Sequence, residues 1–138
     1  MGKVLLATVS DGRPAVYSRL EDSDRASQDR LADALRAKGH EVEAFGEVVG
    51  ANEAAVAAGR ASAASRPDLT LVNIPVWSFP NLTLLIATGA AGPLALSSSL
   101  DPAYPGVVGM LAAGGALEQI GRTHLRAWGD APDPAAVG

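Results

Sequence analysis

The 138-residue sequence contains no cysteine. Disulfide staples, thiolate nucleophiles and sulfur metal ligands are therefore excluded. Its only histidines are His40 and His124. Neither has a second histidine or a carboxylate at metal-ligand spacing, and both read more readily as structural residues than as ligands. Aromatic residues make up 4% of the chain and charged residues 19%, against 48% hydrophobic. So little charge on so apolar a chain excludes disorder. There is no cluster of Lys and Arg, and the formal net charge is −4. Nucleic acid and anionic membrane surfaces are thereby poor partners. No apolar run is long enough for a membrane span, and the flanks of Met1-Gly-Lys-Val-Leu-Leu-Ala-Thr-Val9 do not suit a signal peptide. These features fit a cytoplasmic protein whose length can bury a core in one domain.

Several familiar ligand loops are missing too. No G-x-G-x-x-G follows the first apolar run, and G-x-x-x-x-G-K-[ST] occurs nowhere. Thr8-Val-Ser-Asp-Gly12 lacks the run of hydroxyl residues of a flavin phosphate loop. A phospho-receiver domain would end its third strand in aspartate, where this chain has Asn73-Ile-Pro75.

What is present is a strict alternation of short apolar runs and helical stretches. Lys3–Val9 reads as strand one, and His40–Phe45 as a shorter, half-exposed strand with Glu41 and Glu43 alternating. Leu69–Val76, Pro93–Leu96 and Thr123–Trp128 read as three more strands. Helices are expected over Asp24–Lys38, where Leu31 and Leu35 share a face and Gly39 stops the run. Further helices are expected from Asn52, as N-cap, to about Ser65, over Asn81–Thr88 and over Gly106–Ile120. Such alternation predicts a three-layer α/β domain, a Rossmann/flavodoxin-like parallel five-strand sheet with helices on both faces and order 2-1-3-4-5. The domain is expected over residues 1–129, with a linker-like tail over 130–138, Asp-Ala-Pro-Asp-Pro-Ala-Ala-Val-Gly.

Ligands in such sheets bind at the carboxyl ends of the strands. The loops there are Ser10–Arg13, Asn73–Asn81 and Ser97–Pro105, the chemically richest in the sequence. Trp77 is either a core aromatic or a rigid face for the C–H side of a sugar. Its bracketing by Pro75 and Pro80 favours the second reading. Arg13, on a Gly-Arg-Pro turn, reads equally as a donor to hydroxyls or a carboxylate and as a solvated surface arginine. Asp11 reads as a turn cap or as part of the same site.

Three segments carry a family resemblance. They are Val9-Ser-Asp-Gly-Arg13, with Tyr17, Arg19 and Gln28–Leu35 downstream; Asn73-Ile-Pro-Val-Trp-Ser-Phe-Pro-Asn81; and Leu100–Gly121 followed by Arg126-Ala-Trp-Gly-Asp130. With them the chain resembles the N-terminal domain of the L-fucose/L-arabinose isomerase family, the aldose–ketose isomerases. The resemblance implies a Rossmann-like module that holds subunits together. It also implies that this module lends an arginine and a tryptophan, here Arg13 and Trp77, to a neighbouring subunit's site. Asp11 and Tyr104 complete the expected substrate-binding set.

The resemblance further implies that a Glu, an Asp and a His of later domains bind Mn²⁺ for an ene-diol proton transfer. No cofactor is thus expected in this chain. An aldose sugar at a subunit interface is the expected ligand, and a homo-oligomer, trimer or hexamer, the expected assembly of the full-length enzyme. The chain alone is expected to be inactive. The alternatives are a stand-alone binding or interaction module and a small enzyme relying on Asp11 and Asp101.

Overall fold

The computed structural model describes residues 2–100 and 104–129. Its elements are β1 (Lys3–Thr8), α1 (Pro14–Ala37), β2 (Glu41–Ala44), α2 (Asn52–Ser65), β3 (Leu69–Asn73), α3 (Pro80–Gly89), β4 (Leu94–Ser98), α4 (Gly106–Gln119) and β5 (Leu125–Trp128). The strands form one sheet in the order β2-β1-β3-β4-β5, and every pairing is parallel. The expected topology is therefore observed. Parallel neighbours need crossover connections, and a helix supplies each one.

Side chains of successive strand residues point to opposite faces, which splits the core in two. Leu71 packs with Val4, Leu6 and Ala95 against Ala32, Leu31 and Leu35 of α1. Val72, Ile74 and Leu96 turn the other way, towards Ala55 and Ala58 of α2, Ile86 of α3 and Met110, Ala113 and Leu117 of α4. The apolar central strands are buried on both faces, as parallel sheets require. Edge strand β2 alternates Glu41 and Glu43 at its surface.

Two local expectations need correction. α1 begins at Pro14, ten residues before the apolar periodicity does. Proline is at home in the first turn, where its missing N–H has no helical partner to lose. The first half of the helix is anchored by other means: the Tyr17 hydroxyl donates to the Val48 carbonyl at 2.8 Å, and Asp24 and Gln28 are buried on the face that continues to Ala32. A search for apolar spacing passes over a buried polar stripe. The second correction concerns α2. Ala51, extended and without a side-chain cap, occupies the cap position. Asn52 is the first helical residue, and its Oδ1 accepts from Asn81 Nδ2 at 2.7 Å.

Two glycines set the spacing of the layers. A Cβ on Gly106 would lie 2.4 Å from the Ile74 carbonyl oxygen, so only glycine lets α4 start this close to the end of β3. A Cβ on Gly59 would lie 2.8 Å from the Ile86 carbonyl oxygen, where α2 crosses α3.

Candidate functional site at the carboxyl ends of β1 and β3

β1 and β3 are adjacent, with Thr8 opposite Asn73. The loops that follow them emerge side by side. After β1 the chain is held by the Ser10 N–H, which donates to the Val49 carbonyl at 2.8 Å. Asp11 is buried. Its Oδ1 accepts the Arg13 backbone N–H at 2.9 Å and Nε at 3.0 Å, while Oδ2 accepts Nη2 at 2.6 Å. One carboxylate thus closes the turn and grips the guanidinium along one edge. Charge-assisted two-pronged pairs of this kind fix orientation as well as energy. The side-chain hydrogen bonds from Arg13 come first in holding the Asp11 carboxyl below its ordinary value, with burial opposing them.

The Arg13 side chain is 62% exposed. Its Cζ stands 5.7 Å from the centre of the Trp77 ring, within cation–π range. Trp77 is half-buried. Its ring meets Phe79 edge-on, centroids 4.7 Å apart at 72°. The Phe79 ring in turn lies over Gly12, where a Cβ would sit 3.4 Å from Cδ2. The β1 and β3 loops are therefore interlocked: carboxylate, guanidinium, indole and phenyl ring form a continuous chain of contacts. Such an arrangement sets an apolar aromatic face next to guanidinium hydrogen-bond donors.

The structure brings Asp11, Arg13 and Trp77 together. Tyr104 is placed differently, lining a small cleft with Ser23, Asp24, Ser27, Pro75, Val76 and Ser99. Asp101 and the tail over 130–138 lie outside the described residues. His40 Nδ1 accepts the Gly2 N–H at 3.3 Å. The His124 ring lies between the Arg122 carbonyl, 3.0 Å from Nδ1, and Arg126 Nε, which donates to Nε2 at 3.0 Å.

Two participants are not legible from residue type. Phe79 is 41% exposed beside Trp77 and looks in sequence like any loop aromatic. Asp24 sits in a stretch without apolar rhythm, yet it is fully buried and accepts a short hydrogen bond from Ser10 Oγ. Burial chiefly, with the Asp11 charge adding and the Ser10 hydroxyl opposing, pushes its pKa up to about 6.

A parallel α/β sheet with helices on both faces and polar loops at the carboxyl ends of its central strands defines the class: a three-layer domain of Rossmann-like build. Over residues 1–137 the chain matches the family of the L-fucose isomerase, first N-terminal domain, and it belongs to that family. No curated protein matches the chain.

Proposed function

We propose that the domain is the substrate-recognition and oligomerisation domain of an aldose–ketose isomerase of the L-fucose/L-arabinose type, inactive by itself. The observation that carries this reading is the Asp11–Arg13–Trp77 arrangement, in which an exposed guanidinium is clamped and leaned on an indole. Asp11 engages Nε and Nη2, which leaves the Nη1 side of the fork for a sugar oxygen. Trp77 covers the sugar's C–H face, and Phe79 stiffens the ring from behind. A site so open on one side is completed by another subunit of a cytoplasmic homo-oligomer, trimeric or hexameric. Tyr104 belongs to the rim of that assembled site.

The described residues do not fit a resident Mn²⁺: among them no three His, Asp or Glu side chains group to hold a metal ion. The metal and the proton transfer belong to later domains, and this domain binds and orients.

The test is Trp77→Ala in the complete enzyme. Turnover falls while each subunit stays folded, by on the order of 1–3 kcal/mol for one lost aromatic contact. That is roughly five- to 150-fold in kcat/KM. Mixing this variant with a metal-ligand knockout restores activity, because a hybrid interface combines one intact Trp77 with one intact metal site. A mixture no more active than its parents would refute the shared site.

A further inference from the structure

The two loops that carry Arg13 and Trp77 share one buried carboxyl group at their roots. Asp24, in the first half of α1, is fully buried. Its Oδ2 accepts the hydrogen bond of Ser10 Oγ. Ser10 is itself fully buried and is tied by its N–H to the Val49 carbonyl at 2.8 Å. The next residue is Asp11, whose carboxylate grips Arg13. On its other side Asp24 lines a cleft with Pro75 and Val76, and Trp77 follows directly. One side chain therefore holds the root of the β1 loop and borders the root of the β3 loop.

The remaining oxygen, Oδ1, is sealed from solvent and has no hydrogen-bond partner. It meets no ligand there. An ionised oxygen in that position carries its desolvation cost without compensation, so the uncharged carboxyl is the form that fits the closed arrangement. Donors able to relieve a charge line the cleft beside it: the hydroxyls of Ser27 and Tyr104 and the guanidinium of Arg30. Reaching them displaces α1 against Val76 and pulls on Ser10. The charged and titratable neighbours are few. Asp11 faces it from the β1 loop and repels it. Arg30 of its own helix and Tyr104 of the loop before α4 share the cleft, where the β3 loop and the end of β4 bring only Pro75, Val76 and Ser99. Arg25 and Glu47 act on Tyr17.

We infer that Asp24 is a positioning residue for the Arg13–Trp77 pair: ionising it shifts Ser10 and Val76 together and loosens the guanidinium from the indole. Burial first, and then the Asp11 charge, bring this change close to neutrality, raising the Asp24 pKa to about 6 against the opposing Ser10 hydroxyl. Under the isomerase reading, on which this consequence alone rests, the domain holds its sugar more tightly below that value than above it.

The experiment is an NMR titration of the ¹³C,¹⁵N-labelled chain from about pH 4 to about pH 8, spanning a raised carboxyl. It reads the Asp24 carboxyl, the Arg13 backbone N–H and the two indole N–H signals. Asp24, Arg13 and Trp77 are expected to share one midpoint at about 6, while Trp128 on β5 does not follow. Asp24→Asn abolishes the inflection at Arg13 and Trp77. Ser10→Ala raises the Asp24 midpoint, because the hydroxyl that favoured the charge is gone, and flattens the Arg13 response. The inference is overturned if Asp24 titrates in the ordinary carboxyl range, or if it titrates near 6 with Arg13 and Trp77 unmoved. It is overturned equally if Trp128 shifts as much as Trp77, if the inflection survives in Asp24→Asn, or if Arg13 still follows Asp24 in Ser10→Ala. No sugar enters these readings, so they stand or fall separately from the mixing test of Trp77→Ala.

Discussion

Asp24 and Asp11 stand on neighbouring elements and are driven in opposite directions. Asp11 is depressed by the guanidinium it grips, so its contribution is present at neutral pH and lost as pH falls through the lowered value. Asp24 has its folded pKa raised from 3.8 to about 6. The folded state therefore binds a proton that the unfolded chain has released. The stability this group contributes is complete below 3.8 and is lost as pH climbs to about 6. Above that the fold carries a buried carboxylate at a cost of about 2–3 kcal/mol. Asp24→Asn keeps the shape and removes the charge. Its melting temperature at pH 7 is expected to exceed that of the parent by several degrees, and circular-dichroism melts should show the gap closing towards pH 4. An equal gap at both pH values would contradict the assignment. The nearness of Arg13 and Trp77 was legible because they follow strands one and three, which the predicted order makes neighbours. Asp24 was not, because burial of a single carboxylate leaves no trace in residue spacing.

The joint between α4 and the sheet is a close approach of backbone to backbone. Gly106 abuts the Ile74 carbonyl and also Ser98 Oγ, which would lie 2.6 Å from a Cβ. Backbone cannot swing aside as a flexible side chain can. Gly106→Ala is expected to cost about 1–3 kcal/mol through forced displacement of the helix start. Chemical denaturation should show a lower midpoint with an unchanged slope. Gly115, where a Cβ would meet nothing within 4 Å, is the control: Gly115→Ala should be neutral or stabilising, since alanine favours the helix. Strand and helix order was readable because breakers such as Gly39 and Arg66-Pro67-Asp68 punctuate apolar runs of the right length. The start of α1 was not, since Tyr17 on the Val48 carbonyl and buried Asp24 and Gln28 hold it through long-range contacts.

For the molecule as a whole, the topology was open to reading because strict alternation leaves few ways to wind a parallel sheet. The proposed division of labour makes a plain prediction: the isolated chain neither isomerises aldoses, with or without Mn²⁺, nor binds that ion tightly. Tight sites need several converging carboxylate or imidazole ligands. A stoichiometric sub-micromolar Mn²⁺ isotherm in calorimetry would reverse the assignment of the metal to later domains. The seam between β1 and β3 has a consequence for synthesis. Thr8 and Asn73 meet across 65 positions of chain, and α1, β2 and α2 all lie between. Closing so long a loop costs entropy before any pairing offsets it, and non-local parallel pairing is slow. Arg13 and Trp77 hang from the ends of those two strands. Although Arg13 leaves the ribosome early, its seat on the indole cannot form until Trp77 has emerged and β3 has docked. The Arg13–Trp77 contact therefore waits until more than half of the 138-residue chain has emerged.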